Sequence, residues 1–306
     1  MFDAEQIYKA FHESNAIQRR IARATFEFWQ RLGFHVVGDH FYDIVPNTQT
    51  IRKSYINGLR DLPAISVDWQ SLALDACGLM SSFVEDYLQN RSTFGYVEDN
   101  YYFNGLDALY YYSFIRKLKP RRIVEIGQGF STRIALAALT QNLDAEQAAP
   151  ELISVDPYAR LATQTSTTFR FSVIKKPLRE VGNDVPGMLA AGDLLFVDSS
   201  HVFKFGSDVQ LLFEHVYPRL TTGVLLHIHD IFTPFDYPIN WMVKRKQFWN
   251  EQYFLESFLS FNSDFRIEAP IHYLARNGAA DRMFSTRNVD PDVVGRNGQS
   301  LYLKRM

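Results

Sequence analysis

Cysteine is almost missing from this chain of 306 residues. Cys77 stands alone, so no intrachain disulfide can form, and its neighbours in LALDACGLMSSF put it on a helical face with Ala73 and Met80, as a core thiol rather than a nucleophile. Long apolar runs are missing too: no stretch approaches the ~18 residues needed to span a bilayer. The opening MFDAEQIYKAF lacks a basic segment followed by an apolar core, so a soluble, unexported, cytoplasmic protein is expected. Charge of one sign is also lacking. Lysine and arginine number 32 against 34 acids, a net charge of −2, which leaves no broad electrostatic footprint for nucleic acid or an anionic membrane. The basic cluster KRK at 244–246 reads as a solvated patch beside a helix. What the chain has in quantity is core material: 46% hydrophobic and 15% aromatic residues suffice for one large or two small domains.

Residues 1–105 read as a mostly helical cap. Ile7, Phe11, Ile17, Ile21, Ala24 and Phe28 fall at helical spacing and Gly33 closes that segment; Leu72, Ala76, Leu79, Phe83 and Tyr87 repeat the pattern. Between them HFYDIVPNTQTI, residues 40–51, reads as a loop with a turn at Pro46 and Asn47. A helix over 106–118 follows, its Tyr110, Tyr111 and Tyr112 mostly packing a core. From 121 onward strands and helices alternate, as in a doubly wound parallel sheet. The strands expected are RRIVEI, LISVDP at 152–157, FRFSVIKKPL at 169–178, DLLFVDSSH at 193–201 and GVLLHIHD at 223–230. Helices are expected over Ser207 to Leu220, where Ser207 and Gln210 match a capping box, and over Lys246 to Ser260. FRIEAPIHYLAR, 265–276, and SLYLKRM, 300–306, read as two final strands.

The most specific segment is RRIVEIGQGFSTRIALAAL, 121–139: a β-branched run, a glycine-rich turn and a stretch of helix formers. Gly127 and Gly129 allow a ligand to approach the backbone, and Ser131 is placed to cap the following helix. Glu125, two residues before the first glycine, is expected at the mouth of the site, where it would repel a pyrophosphate and attract a cationic ammonium. Ligands of open α/β sheets bind beyond the carboxyl ends of the strands. There Glu125, Asp156, Asp198 and the pair His229 and Asp230 end strands one, two, four and five, and Asp156 is positioned for ribose hydroxyls. Asp198, His229 and Asp230 fall within reach of one ion, whose identity stays open among magnesium, manganese, iron and zinc. With an ordinary pKa of ~6.5, His201 suits a general base near neutrality. His227, two residues before His229, reads as a hydrogen-bonded core side chain.

The acidic-x-Gly-x-Gly pattern, with Ser131 where a third glycine often stands, resembles motif I of the class I S-adenosylmethionine-dependent methyltransferases, in the branch written GxGxST. HIHDIFTPFDYPINW at 227–241 and FWNEQYFLESFLSFN at 248–262 resemble a bacterial small-molecule branch of that family, and the likeness covers roughly residues 100–276. The resemblance implies a Rossmann-like α/β fold, a seven-stranded sheet of five parallel strands and a C-terminal antiparallel pair, in a domain over 106–306 behind the cap. It implies S-adenosylmethionine held by Glu125, Gly127, Gly129, Ser131, Asp156 and Asp198. By likeness to the catechol-type enzymes it implies a divalent metal on Asp198, His229 and Asp230, with His201 at the place of their catalytic lysine and His229 and Asp230 also counted among the catalytic groups.

The expected partner is a small-molecule acceptor methylated at a hydroxyl, with no nucleic acid or membrane and a homodimer allowed. The aromatic loop Phe232, Phe235, Tyr237 and Trp241 is a candidate lid over it. The alternatives are a protein of the same scaffold doing non-methyl chemistry, such as metal-dependent hydroxylation, and a cofactor-binding protein without transfer activity. A nicotinamide dehydrogenase is disfavoured by Glu125 and the absent GxGxxG spacing.

Overall fold

A computed structural model of the chain describes residues 4–38, 44–142, 149–165 and 168–306. Two compact units make it up: Met1–Ile56 with Pro238–Phe248, and Asn57–Tyr237 with Trp249–Met306. The smaller unit holds α1 (Ala4–Arg31), α2 (Thr48–Ser54) and a wide helical turn at Trp241–Arg245. The expected loop over 40–51 is helical from Thr48, because the Asn47 side chain accepts the Gln49 N–H at 2.9 Å and starts α2. Residues 40–43 of that stretch, and the side chains of Ile7 and Phe11, lie outside the described residues.

The larger unit begins with α3 (Trp69–Asn90) and α4 (Gly105–Leu118), then runs β1 (Arg122–Ile126), α5 (Phe130–Thr140), β2 (Glu151–Val155), β3 (Gln164–Thr165), β4 (Arg170–Ile174), α6 (Leu178–Val181), β5 (Leu194–Val197), α7 (Asp208–Leu211) and β6 (Leu225–His229). It ends with α8 (Glu251–Leu259), β7 (Phe265–Pro270), α9 (Ile271–Arg276), α10 (Ala279–Arg287), α11 (Pro291–Val294) and β8 (Ser300–Arg305). Although the helical cap was expected to reach residue 105, α3 packs on α4 and β7 inside this unit, burying Ala73, Ala76, Met80, Val84 and Tyr87. Cys77 lies buried on the same helix, and Tyr110, Tyr111 and Tyr112 are buried on α4.

The sheet order is β3-β4-β2-β1-β5-β6-β8-β7. Strands β4, β2, β1, β5 and β6 are parallel, and β8 lies antiparallel between β6 and β7. This is the expected Rossmann-like sheet of five parallel strands and a C-terminal antiparallel pair, with the two-residue β3 added antiparallel at the β4 edge. All residues of β5 and β6 are buried, as in strands covered on both faces.

Two sequence expectations fail locally, each for a reason of backbone chemistry. FRIEAPIHYLAR is a strand only as far as Pro270, which has no N–H to extend a ladder, and Ile271 and Leu274 are then buried at helical spacing in α9. The helix expected from Ser207 is α7, a wide turn at Leu212–Val216 and a tight turn at Tyr217–Arg219 that contains Pro218. Its start is as expected in kind: Ser207 Oγ accepts the Gln210 N–H at 3.0 Å, while the Gln210 side chain accepts the N–H of Gly206, one residue earlier than a capping box requires.

Register decides what meets at the carboxyl edge. Ile126 pairs with Val155 and Val197, and Val197 with Ile228, so Gly127, Asp156, Asp198 and His229 come next in one row across four strands. The row is tight at Gly127, whose φ is +89° and where an added Cβ would stand 2.5 Å from the Asp198 carbonyl oxygen. Gly127→Ala therefore combines left-handed strain with a clash against backbone and should lower unfolding stability by about 2–4 kcal/mol. At Gly129 an added Cβ meets nothing within 4 Å, so Gly129→Ala should stay within about 1 kcal/mol of the parent. Urea unfolding of both variants checks the pair; equal losses would mean that the Gly127 turn is not under this constraint.

Candidate active site

The glycine turn is tied down at both ends. Gln128 donates its N–H to Asp156 Oδ2 at 2.9 Å, and its own Oε1 accepts the N–H groups of Arg160 and Leu161 at 2.8 and 2.6 Å. Asp156 Oδ1 accepts the Tyr158 N–H at 2.6 Å, so this carboxylate joins the β1 turn to the β2 turn while still lining a cleft. The cleft, about 750 Å³, has Gly127 and Asp156 on one side, Leu178 and Arg179 of α6 on another, and Asp198 and Lys204 beyond β5.

Glu125 is not at the mouth of this cleft. It is fully buried, its Oε1 accepting from Ser131 Oγ at 2.7 Å and its Oε2 from Thr132 Oγ1 at 2.6 Å. Burial pushes its pKa up to about 8, against the lowering effect of those hydroxyls. Position 125 belongs to the strand rather than to the turn, so its side chain packs between sheet and helix, where an uncharged carboxyl is favoured. Ser131, expected to cap α5, lies within that helix and spends its hydroxyl on Glu125. The N–H of Gly129, the residue preceding α5, is instead accepted by Thr132 Oγ1 at 3.0 Å.

Beyond β5 and β6 a cluster of carboxylates and imidazoles forms. Asp198, His201 and Asp230 each bring a potential ligand atom within 4.8 Å of the other two. His201 Nε2 lies 3.2 Å from Asp198 Oδ1 and 3.5 Å from Asp230 Oδ2; His229 Nδ1 lies 3.9 and 3.8 Å from the same two oxygens. Sequence reasoning placed His229 with the two aspartates and His201 apart as a base, whereas the structure brings His201 closest to both. Burial opposes a charge on His201, but the hydrogen bonds it donates to Asp198 and Glu251 outweigh it and raise its pKa to about 10. A ring so held keeps its proton at neutral pH, so the ~6.5 expected of a ready base does not apply here. Asp198, half-exposed at the cleft, is held well below the usual carboxylate range by hydrogen bonds from and charge on His201 and His229. Asp230 is raised, chiefly by burial. His201 and Asp230 both have left-handed backbone, φ 58° and 55°, a conformation that costs a non-glycine residue about 1–2 kcal/mol.

Two carboxylates that sequence reasoning left without a role complete the surroundings. Glu251, at the start of α8, is fully buried and accepts from Ser199 Oγ and His201 Nδ1, each at 2.9 Å. Asp107 on α4 is buried, accepts the Gln299 N–H and lies 3.8 Å from His229 Nε2. The available signal was a lone acid inside an aromatic stretch: LDALYYY for Asp107 and WNEQYF for Glu251. His227 is a buried side chain 2.8 Å from Ser300 Oγ, stacked on Tyr302, and burial keeps it neutral. Most of the aromatic loop after β6 is fastened down. Gln252 accepts the Phe232 N–H and donates to the Phe235 carbonyl, Thr233 donates to Glu256, and Arg60 pairs with Asp236 and Glu256. Phe232 and Tyr237 are buried, so these two rings pack the fold and are not available as a lid.

Residues 124–231, from within β1 to just past Asp230, match the protein family described as "Methyltransferase domain". An uncharacterized protein of Archaeoglobus fulgidus is 34% identical over 106 residues, 32% of this chain and 48% of that protein. The chain thus spans about half the length of that curated relative. The crystal structure of the SAH-bound Podospora anserina methyltransferase PaMTH1 overlaps 61% of this chain and 81% of its own, with 15% identity and a TM-score of 0.35. Among the described residues no helix is long and apolar enough to cross a membrane.

The raised pKa of Glu125 makes a pH prediction. Below about 4.5 the carboxyl is protonated in both folded and unfolded chains; between there and about 8 only the folded chain keeps the proton. Its contribution is therefore complete in acid and lost as pH rises through about 8, with a slope of at most about 1.4 kcal/mol per pH unit. Glu125→Gln should remove that slope, and the free-energy difference between parent and variant, followed by urea unfolding from pH 6 to 9, should move in the variant's favour. A difference independent of pH would mean that Glu125 is already ionised in the fold.

Proposed function

We propose that the chain is an S-adenosylmethionine-dependent methyltransferase that methylates a hydroxyl of a small molecule with help from a divalent ion. One observation carries the reading: the cleft lined by Gly127 and Asp156 is also lined by Asp198, a member of the histidine–carboxylate cluster. A donor and an acceptor site would thus share one side chain at the sheet's carboxyl edge, where open α/β folds bind ligands.

The residues present fit both groups. Open space over Gly129 and the left-handed turn at Gly127 leave backbone accessible to a ligand, and Asp156 offers oxygen lone pairs inside the cleft for ribose hydroxyls. For the ion, His229 has two buried ring nitrogens with no hydrogen-bond partner, one of them facing Asp198 and Asp230, and Asp230 Oδ1 is likewise unpartnered. Such orphaned polar atoms are costly unless a ligand satisfies them. S-adenosylmethionine supplies an electrophilic methyl group on a sulfonium, and a divalent ion lowers the pKa of a bound hydroxyl. Asp156 would orient the donor through its ribose. Asp198, His229 and Asp230 would hold the acceptor oxygen through the ion, and burial of His201, His229 and Asp230 limits water on that side of it.

Mass spectrometry of the protein as purified should find retained S-adenosylhomocysteine, or calorimetry should show saturable S-adenosylmethionine binding. Asp156→Ala should weaken that binding at least about tenfold, whereas Asp198→Ala, which removes only an edge contact to the donor, should weaken it less and abolish methyl transfer. No binding at millimolar S-adenosylmethionine, with saturable binding of NAD, would overturn the assignment.

A further inference from the structure

His201 is gripped from two sides. Its Nε2 faces Asp198 Oδ1 at 3.2 Å and Asp230 Oδ2 at 3.5 Å, while its Nδ1 meets Glu251 Oε2 at 2.9 Å. The start of α8 delivers that glutamate, because the His201 carbonyl accepts the N–H groups of Asn250 and Glu251 at 3.1 and 3.2 Å. The Trp249 ring covers the imidazole at 4.3 Å between centroids. Across the same two aspartate oxygens stands His229 Nδ1, at 3.9 and 3.8 Å, only 2% exposed and without a hydrogen-bond partner on either ring nitrogen.

Resting on the metal-assisted reading above, we propose that His201 is a ligand of the ion rather than the base, that Glu251 is the residue positioning it, and that the site selects an imidazole-preferring divalent ion of the zinc–iron class over magnesium. Donor atoms around a tetrahedral ion with bonds of ~2.0–2.1 Å stand ~3.4 Å apart. His201 Nε2 is 3.2 and 3.5 Å from Asp198 Oδ1 and Asp230 Oδ2, close to that spacing, and His229 Nδ1 stands farther off at 3.9 and 3.8 Å. A carboxylate on Nδ1 keeps the proton there and turns the Nε2 lone pair towards the aspartates, the arrangement in which metal-bound histidines are commonly held. Asp107 stands to His229 in a looser version of the same relation, 3.8 Å from its Nε2. Two imidazoles beside two carboxylates make a softer donor set than the oxygen cage magnesium prefers.

The test uses the full chain, stripped with chelator and reloaded. Co²⁺ should bind at one equivalent and at least about 100-fold more tightly than Mg²⁺. His201→Asn should cost Co²⁺ at least about 100-fold in affinity while changing Mg²⁺ affinity less than about threefold, and Glu251→Gln should cost Co²⁺ about 10–100-fold. Pulsed electron paramagnetic resonance of the parent loaded with Mn²⁺ should show two coupled imidazole nitrogens, a count that needs no variant to fold. One coupled imidazole or none, Mg²⁺ competing equally with Co²⁺, or unchanged Co²⁺ affinity in His201→Asn would each overturn the inference. Failure to bind any ion would overturn it together with the metal-assisted step. Retained S-adenosylhomocysteine in the same preparations would leave the methyl-donor assignment standing.

Discussion

Close approach between the ends of β1 and β5 sets the geometry on which everything else at the sheet edge depends. With Ile126 level with Val155 and Val197, the chain leaves β1 directly against the Asp198 carbonyl, at a distance that excludes a β-carbon. A glycine at 127 is thus a packing requirement before it is anything to do with a ligand. Once that contact is made, Asp156 lies near enough to accept the Gln128 N–H, and Asp198 is presented between the cleft and the cluster.

Burial then divides the acids into two kinds. Glu125, Glu251 and Asp107 lie inside the fold and serve hydroxyl, imidazole or backbone groups of the protein itself, whereas Asp156 and Asp198 line the cleft. Charge that is costly to bury is retained where it has a partner. His201 and His229 supply that partnership for Asp198 and Asp230, and left-handed backbone at positions 201 and 230 shows how strongly the surrounding packing constrains this corner. Fastening most of the 232–237 loop to α8 through Gln252 and Glu256 keeps the corner rigid, because α8 also begins with Glu251.

Periodicity alone made the strand order's raw material legible. The apolar residues of 122–126, 194–197 and 225–229 announce strands that are largely covered on both faces, and the polar residues at their ends mark one rim because parallel strands share a direction. Where a proline interrupts, the pattern misleads: 265–276 alternates well enough to resemble one strand, yet Pro270 cannot donate to the ladder and a helix follows.

Which side chains would collect at the carboxyl edge was already written in the residue order, since a strand end and its next residue are neighbours in sequence as in space. Asp156, Asp198, His229 and Asp230 could be placed there without coordinates. Which way each points, and who stands behind it, depended on contacts between residues far apart in the chain. Glu125 turned inward to Ser131 and Thr132; His201 was drawn between Asp198 and Glu251, a residue 50 positions away. Local pattern encodes direction and burial, but the partner of a buried charge is chosen by packing, and packing exists only once the chain has folded.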